Sequence, residues 1–78
     1  MELSSRVVLV TAGGSGIGLA VAHHFYNRGD RVHICDIDQS TIDSAACEMP
    51  DVTSTCADLT DTEQVDKVFR DLKETHGQ

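Results

Sequence analysis

VTAGGSGIGLA, residues 10–20, decides how this chain folds. Four of the six glycines in the 78-residue sequence stand in it: Gly13, Gly14, Gly16 and Gly18. An interior glycine costs a helix roughly 1 kcal/mol relative to alanine. A helix running through this stretch is therefore excluded. It reads instead as the end of an apolar strand, a tight turn, and the start of a helix. Upstream, Arg6 to Thr11 (RVVLVT) is a valine-rich run that fits a buried strand. Downstream, Ile17, Ala20, Val21 and Phe25 recur at helical spacing, which predicts a helix over Ser15 to Arg28. Gly29 is placed to end it in a left-handed turn.

The alternation continues. RVHICDID predicts a second strand from about Arg31 to Asp36. Asp38 or Ser40 can cap a helix reaching about Glu48, and Pro50 stops it. Val52 to Ala57 predicts a third strand. Thr60 and Glu63 fit a capping box. Val65, Val68, Phe69 and Leu72 follow at i, i+3, i+4 and i+7, and Gly77 closes that last helix. Strands alternating with helices imply right-handed crossovers and a parallel sheet. The expected fold is a three-layer α/β arrangement, built as βαβαβα, within one domain over residues 1–78.

Composition narrows the function. Hydrophobic residues make up 40% and charged residues 24%, the balance of a soluble globular chain rather than a disordered one. Three aromatic residues, Phe25, Tyr26 and Phe69, leave the core to Val, Ile, Leu and Ala. The formal net charge is −7, and the basic residues are scattered. Nucleic acid and anionic membranes need clustered Lys and Arg, so both are excluded as expected partners. No apolar run reaches the ~18 residues of a membrane span, and the first residues do not read as a secretory signal. Cys35, Cys47 and Cys56 form no C-x-x-C pair, and an odd count cannot close a full disulfide set. A reducing cytoplasm with free thiols is the expectation.

A strand that ends in a Gly-rich turn and a helix N-terminus is a phosphate site in physical terms. The helix start offers unpaired N–H groups and about half a positive charge. Glycines let a pyrophosphate approach the backbone, and the Ser15 hydroxyl can add a donor. The strict G-x-G-x-x-G pattern fails, because its third glycine falls on Leu19 or Val21. The P-loop pattern fails too, because Leu19 and Ala20 follow Gly18 where Lys and Ser/Thr are required. An acidic residue, Asp36, ends the second strand 18 residues after Gly18. In a dinucleotide site such a carboxylate bonds the adenosine ribose hydroxyls.

Thr11-Ala12-Gly13-Gly14-Ser15-Gly16-Ile17-Gly18 resembles the T-G-x-x-x-G-I-G cofactor motif of the short-chain dehydrogenase/reductase family. The departure is Ala12 in place of glycine, which fits if that residue keeps a negative φ. ADLTD, residues 57–61, is similar to the family's segment after the third strand, where an Asp and the next residue border the adenine. The resemblance covers Arg6 to about Gly77. It implies a Rossmann-type fold, here its first half with strand order 3-2-1. It also implies hydride transfer between a nicotinamide cofactor and an alcohol or carbonyl substrate. The implied cofactor-binding residues are Thr11, Gly13, Ser15, Gly16, Ile17, Gly18, Asp36, Asp58 and Leu59. Asp36 would repel a 2′-phosphate and no arginine follows it, so NAD is expected over NADP.

The family's catalytic Ser and Y-x-x-x-K lie beyond the third helix and are not in this sequence. Tyr26 stands four residues before Asp30, on the first helix, and is assigned no catalysis. The 78 residues therefore read as the cofactor-binding portion of an oxidoreductase, cut before a fourth strand, without turnover of its own. The complete protein would be a homo-oligomer. No metal site is expected of His23 and His24, for want of a third ligand. His33 reads as packed in its strand, and Cys35 as a small core residue. The rival reading is a non-catalytic nucleotide-binding or assembly module. Its apolar first strand would be an open edge that invites pairing through Val7 to Val10. A flavodoxin-like phosphate binder is a third reading, which leaves Asp36 and Asp58 without roles.

Overall fold

The structure is a computed structural model that describes residues 6–14 and 16–77. Its elements run β1 (Val7–Thr11), α1 (Gly16–Asn27), β2 (Arg31–Asp36), α2 (Gln39–Glu48), β3 (Thr53–Cys56) and α3 (Thr62–His76). The three strands form one parallel sheet with β2 in the middle. This is the expected half of a Rossmann-type sheet, with order 3-2-1 read from its other edge. Val10 pairs with Ile34 in the first ladder, and Cys35 with Thr55 in the second.

β2 is buried at four successive positions, Val32, His33, Ile34 and Cys35. That is the pattern of a strand covered on both faces in a parallel sheet. Successive side chains alternate between faces. Val32 and Ile34 join Val10, Ala22, Ile42, Ala45 and Met49 in the core under α1 and α2. Cys35 packs on the other face with Leu9, Ala57 and the α3 residue Val68. Full burial of a side chain such as Ile34 or Ile42 is worth about 1.5–3 kcal/mol, so the α1/α2 face carries most of the apolar stabilisation.

The helix ends show where local chemistry wins. Asp38 caps α2, its carboxylate accepting from the Ser40 N–H at 2.9 Å. Asp61, not Thr60, caps α3, accepting from the Glu63 N–H at 2.9 Å. The Thr60–Glu63 capping box is therefore not formed. The Thr60 hydroxyl is taken by Asp58 at 2.7 Å, and the longer Gln64 side chain reaches back to the Asp58 N–H at 2.6 Å. A second carboxylate one residue nearer the helix outcompetes the threonine. Gly29 and Gly77 close their helices with positive φ, as expected. Of the α3 stripe, Val68 is buried while Phe69 is 56% exposed. The sheet beneath α3 ends at β3 on one side, so the stripe is only partly covered.

Candidate functional site

The site lies at the carboxyl ends of the strands, where Thr11, Asp36 and Ala57 lead into the three loops. In open α/β sheets this is the rim where ligands sit. The Gly-rich turn is built by close approach. Gly13 presses against Ile34, so a Cβ there would stand 2.7 Å from Ile34 Cγ2. Its N–H donates to the Cys35 carbonyl at 3.2 Å. Gly18 lies so close to the Ala12 carbonyl that a Cβ would overlap it. Gly13 and Gly18 thus shape the turn and face the protein. Gly16 faces outward, with φ +59° and open space where a Cβ would be.

Ala12 departs from the expectation. Its φ is +54°, in the left-handed region, not the negative value at which alanine fits without strain. The chain must reverse between Thr11 and Gly13 to bring its carbonyl over Gly18, and this residue takes up the reversal. A side chain there costs about 1–2 kcal/mol.

Asp36 ties the turn to β2. One carboxylate oxygen accepts from the Gly14 N–H and the other from the Asp38 N–H, both at 3.2 Å. Each oxygen keeps a free lone pair for a further donor. Gly14 has no room for a side chain, since a Cβ would lie 2.6 Å from Thr41 Oγ1 and 2.9 Å from Asp36 Oδ2. Gly14 is not among the residues that the cofactor motif implies. Its signal was the glycine run itself, whose members the spacing alone does not tell apart.

The third loop starts beside Asp36. The Ala57 N–H donates to the Asp36 carbonyl at 2.9 Å, and Cys56 Sγ donates to the Ile37 carbonyl at 3.4 Å. Asp58 folds back on Thr60, accepting from its N–H at 2.9 Å and its hydroxyl at 2.7 Å. The Thr60 hydroxyl, then its N–H, hold the Asp58 carboxyl below the usual carboxylate range. That carboxylate is committed to its own loop. Leu59 stands exposed next to it.

Two further exposed apolar residues flank the rim: Ile17, 86% exposed, and Ile37, 65% exposed. Ile37 is not among the residues expected at the site, because a single apolar residue after the strand-ending acid carries no periodic signal. Ser15 lies outside the described residues. α1 has no acidic residue in its first turn, so the positive end of its dipole is left for an outside anion. A turn open at Gly16, an uncompensated helix start and a carboxylate at the next strand end together fit a phosphate-linked nucleoside. Among the described residues no group of three His, Cys, Asp or Glu side chains could hold a metal ion. None of the described helices is long and apolar enough to cross a membrane.

The family model for short chain dehydrogenase matches residues 6–78. This chain belongs to the short-chain dehydrogenase family. It is 37% identical to the short chain dehydrogenase/reductase dpchG of Colletotrichum higginsianum, over 96% of this chain and 30% of that protein. It is also 37% identical to galactitol 2-dehydrogenase of Agrobacterium fabrum, over 99% of this chain and 30% of that protein. The crystal structure of gox2181 superposes with a TM-score of 0.90 at 35% identity, covering 97% of this chain and 31% of that one. The chain thus spans about three-tenths of the length of the relatives it matches. Short-chain dehydrogenases are oxidoreductases that use nicotinamide cofactors.

Proposed function

We propose that residues 1–78 form the N-terminal, adenosine-side part of a single Rossmann domain in an NAD-dependent short-chain oxidoreductase. The full reaction would move a hydride between an alcohol or carbonyl substrate and nicotinamide. The observation that carries the reading is the Asp36 carboxylate, fixed by Gly14 at the end of β2 with free lone pairs. The bound cofactor would supply the hydride acceptor or donor. The chain's own residues do the holding. The α1 start, with Gly16 and Ser15, would take the pyrophosphate. Asp36 would take the ribose hydroxyls, with Ile37, Asp58 and Leu59 about the adenine and Ile17 and Thr11 along the cofactor's path. None of the 78 residues is assigned a part in catalysis.

The preference for NAD follows from charge. A 2′-phosphate beside Asp36 would place like charges a few ångströms apart, with no Lys or Arg paired to Asp36 among the described residues to compensate. Repulsion of about 1 kcal/mol or more in a watery site corresponds to at least roughly fivefold weaker binding. Separate calorimetric titrations with NAD and NADP are expected to give the tighter binding with NAD. Asp36→Ser should narrow the gap. NADP binding as tightly as NAD to the parent chain would refute the assignment of Asp36.

One observation favours the assembly reading as well. Among the described residues β1 pairs with β2 alone, so its other edge is open. Val8 is not the residue to test it with, because its side chain packs on the α1/α2 core. Val8→Lys would injure the fold before it could block an edge. Sedimentation of the parent chain is the cleaner measurement, and a strictly monomeric folded chain removes this reading.

A further inference from the structure

The cofactor rim makes no use of a second polar cluster, on the α3 face of the sheet. His33 is fully buried there. Its Nδ1 lies 2.7 Å from Thr53 Oγ1 and its Nε2 lies 2.8 Å from Thr55 Oγ1. Thr55 in turn donates to Asp71 Oδ2 at 2.9 Å. Thr53 Oγ1 also meets His76 Nε2 at 2.7 Å. Two residues of β3 thus link one ring of β2 to two residues of α3.

Donor counting gives the chain a direction. Asp71, as a carboxylate, only accepts. Thr55 spends its single proton on it, so His33 Nε2–H must donate to Thr55. His33 Nδ1 is then the acceptor and takes the Thr53 proton. Thr53 has none left, so His76 Nε2–H donates to Thr53. Every member is satisfied, with both rings neutral and in the Nε2–H form.

Protonation is where the arrangement is restrictive. His76 can take a proton on its free nitrogen without disturbing the chain. His33 cannot follow. An Nδ1–H on His33 would aim a second donor at Thr53 Oγ1, whose own proton would then have only the Val32 carbonyl, 3.5 Å away. The two rings also stand 5.9 Å apart, close enough for two imidazolium charges to repel. Among the other groups around the pair, only Asp71 favours a second positive charge. β1 presents Leu9 opposite His33, Cys35 lies further along the same face of β2, and Arg31 adds a positive charge near His76. Asp71 is the one carboxylate of α3 joined to the cluster.

This cluster matters to α3 because Val68 is that helix's one buried residue. Its second half is joined to the sheet by the polar links of Asp71 and His76. We propose that His33, Thr53 and His76 form a one-proton latch. At neutral pH it fastens the C-terminal half of α3 to the sheet, and in mild acid a second proton enters only when the helix lets go.

The sign is set by the unfolded chain, in which both histidines titrate near pH 6.5. Burial, then His76, hold the folded His33 below that value, with Asp71 opposing; burial, then Arg31, hold His76 below it as well. The unfolded or released form therefore binds more protons below about pH 6.5, and stability falls as pH falls through that range. Each proton wholly withheld raises the opening constant by up to about tenfold between pH 7.5 and 5.5.

The test is made on the full 78-residue chain. Nitrogen-15 NMR of the imidazoles should find His33 as the neutral Nε2–H form at pH 7.5 and still neutral at pH 5.5 in the folded state. Hydrogen exchange, corrected for intrinsic rates, should report about tenfold more opening of the Leu72 to His76 amides at pH 5.5. His76→Gln keeps a side-chain donor to Thr53 but adds no charge, and its amide can turn to accept from Thr53. In that variant His33 should accept a proton in the folded chain and the opening step should shrink. Both rings of the parent titrating together near pH 6.5, or unchanged protection of α3 across this range, would overturn the proposal. The NMR measurement on the parent chain decides even where the variant fails to fold.

Discussion

Ala12→Gly is expected to stabilise the protein, against the usual direction of such a change. The residue sits at φ +54°, where an L side chain costs about 1–2 kcal/mol. Glycine removes that cost. It also gives the unfolded chain more freedom to lose, which offsets about 0.4–1 kcal/mol. The net gain is about 0.5–1 kcal/mol. For a domain of this size that raises Tm by about 2–8 °C, read by circular dichroism at 222 nm. Ala20→Gly is the matched control. It makes the same chemical change at an exposed position inside α1, where it should cost about 1 kcal/mol. Opposite signs for the two substitutions are the expected result. A Tm lowered by Ala12→Gly as much as by Ala20→Gly would refute the reasoning, because it would mean that residue 12 keeps an ordinary backbone conformation.

Gly18→Ala should act in the opposite sense to Ala12→Gly, since the new methyl overlaps the Ala12 carbonyl. A loss of about 1–3 kcal/mol in urea unfolding is expected, and an unchanged midpoint would show that the turn yields without cost. The three thiols should differ sharply in reactivity. Burial, then the neighbouring Asp36 and Cys56, push the Cys35 thiol up, while Cys47 lies exposed on α2. Timed alkylation at pH 8 with mass mapping should label Cys47 first and Cys35 last, at a rate that follows unfolding.

The composition of each loop decided how well the site could be read. Asp36 was legible because it ends an apolar run at a fixed distance from the glycines. The expected carboxylate of the third loop was legible in position but not in state. Nothing in ADLTD told that Thr60 would turn back to Asp58 while Asp61 took the helix start. Both carboxylates suit a helix cap locally, and the choice rests on where Gln64 reaches once α3 is docked. Ala12 failed for a similar reason. Its φ is imposed by the approach of its carbonyl to Gly18, six residues on, and no local preference of alanine points there.

The sequence by itself determined the alternation of strands and helices, the Gly-rich turn and the acid at the end of β2. Each depends on contacts within a few residues or on a simple apolar period. Only the tertiary structure decided which glycines pack inward, why Gly14 belongs with Asp36, and that His33 joins Thr53, Thr55, Asp71 and His76. These groups lie 16 to 23 residues apart along the chain where they meet. They come together only because parallel strands set in register bring distant side chains onto one face of the sheet, where each buried polar group must find a partner.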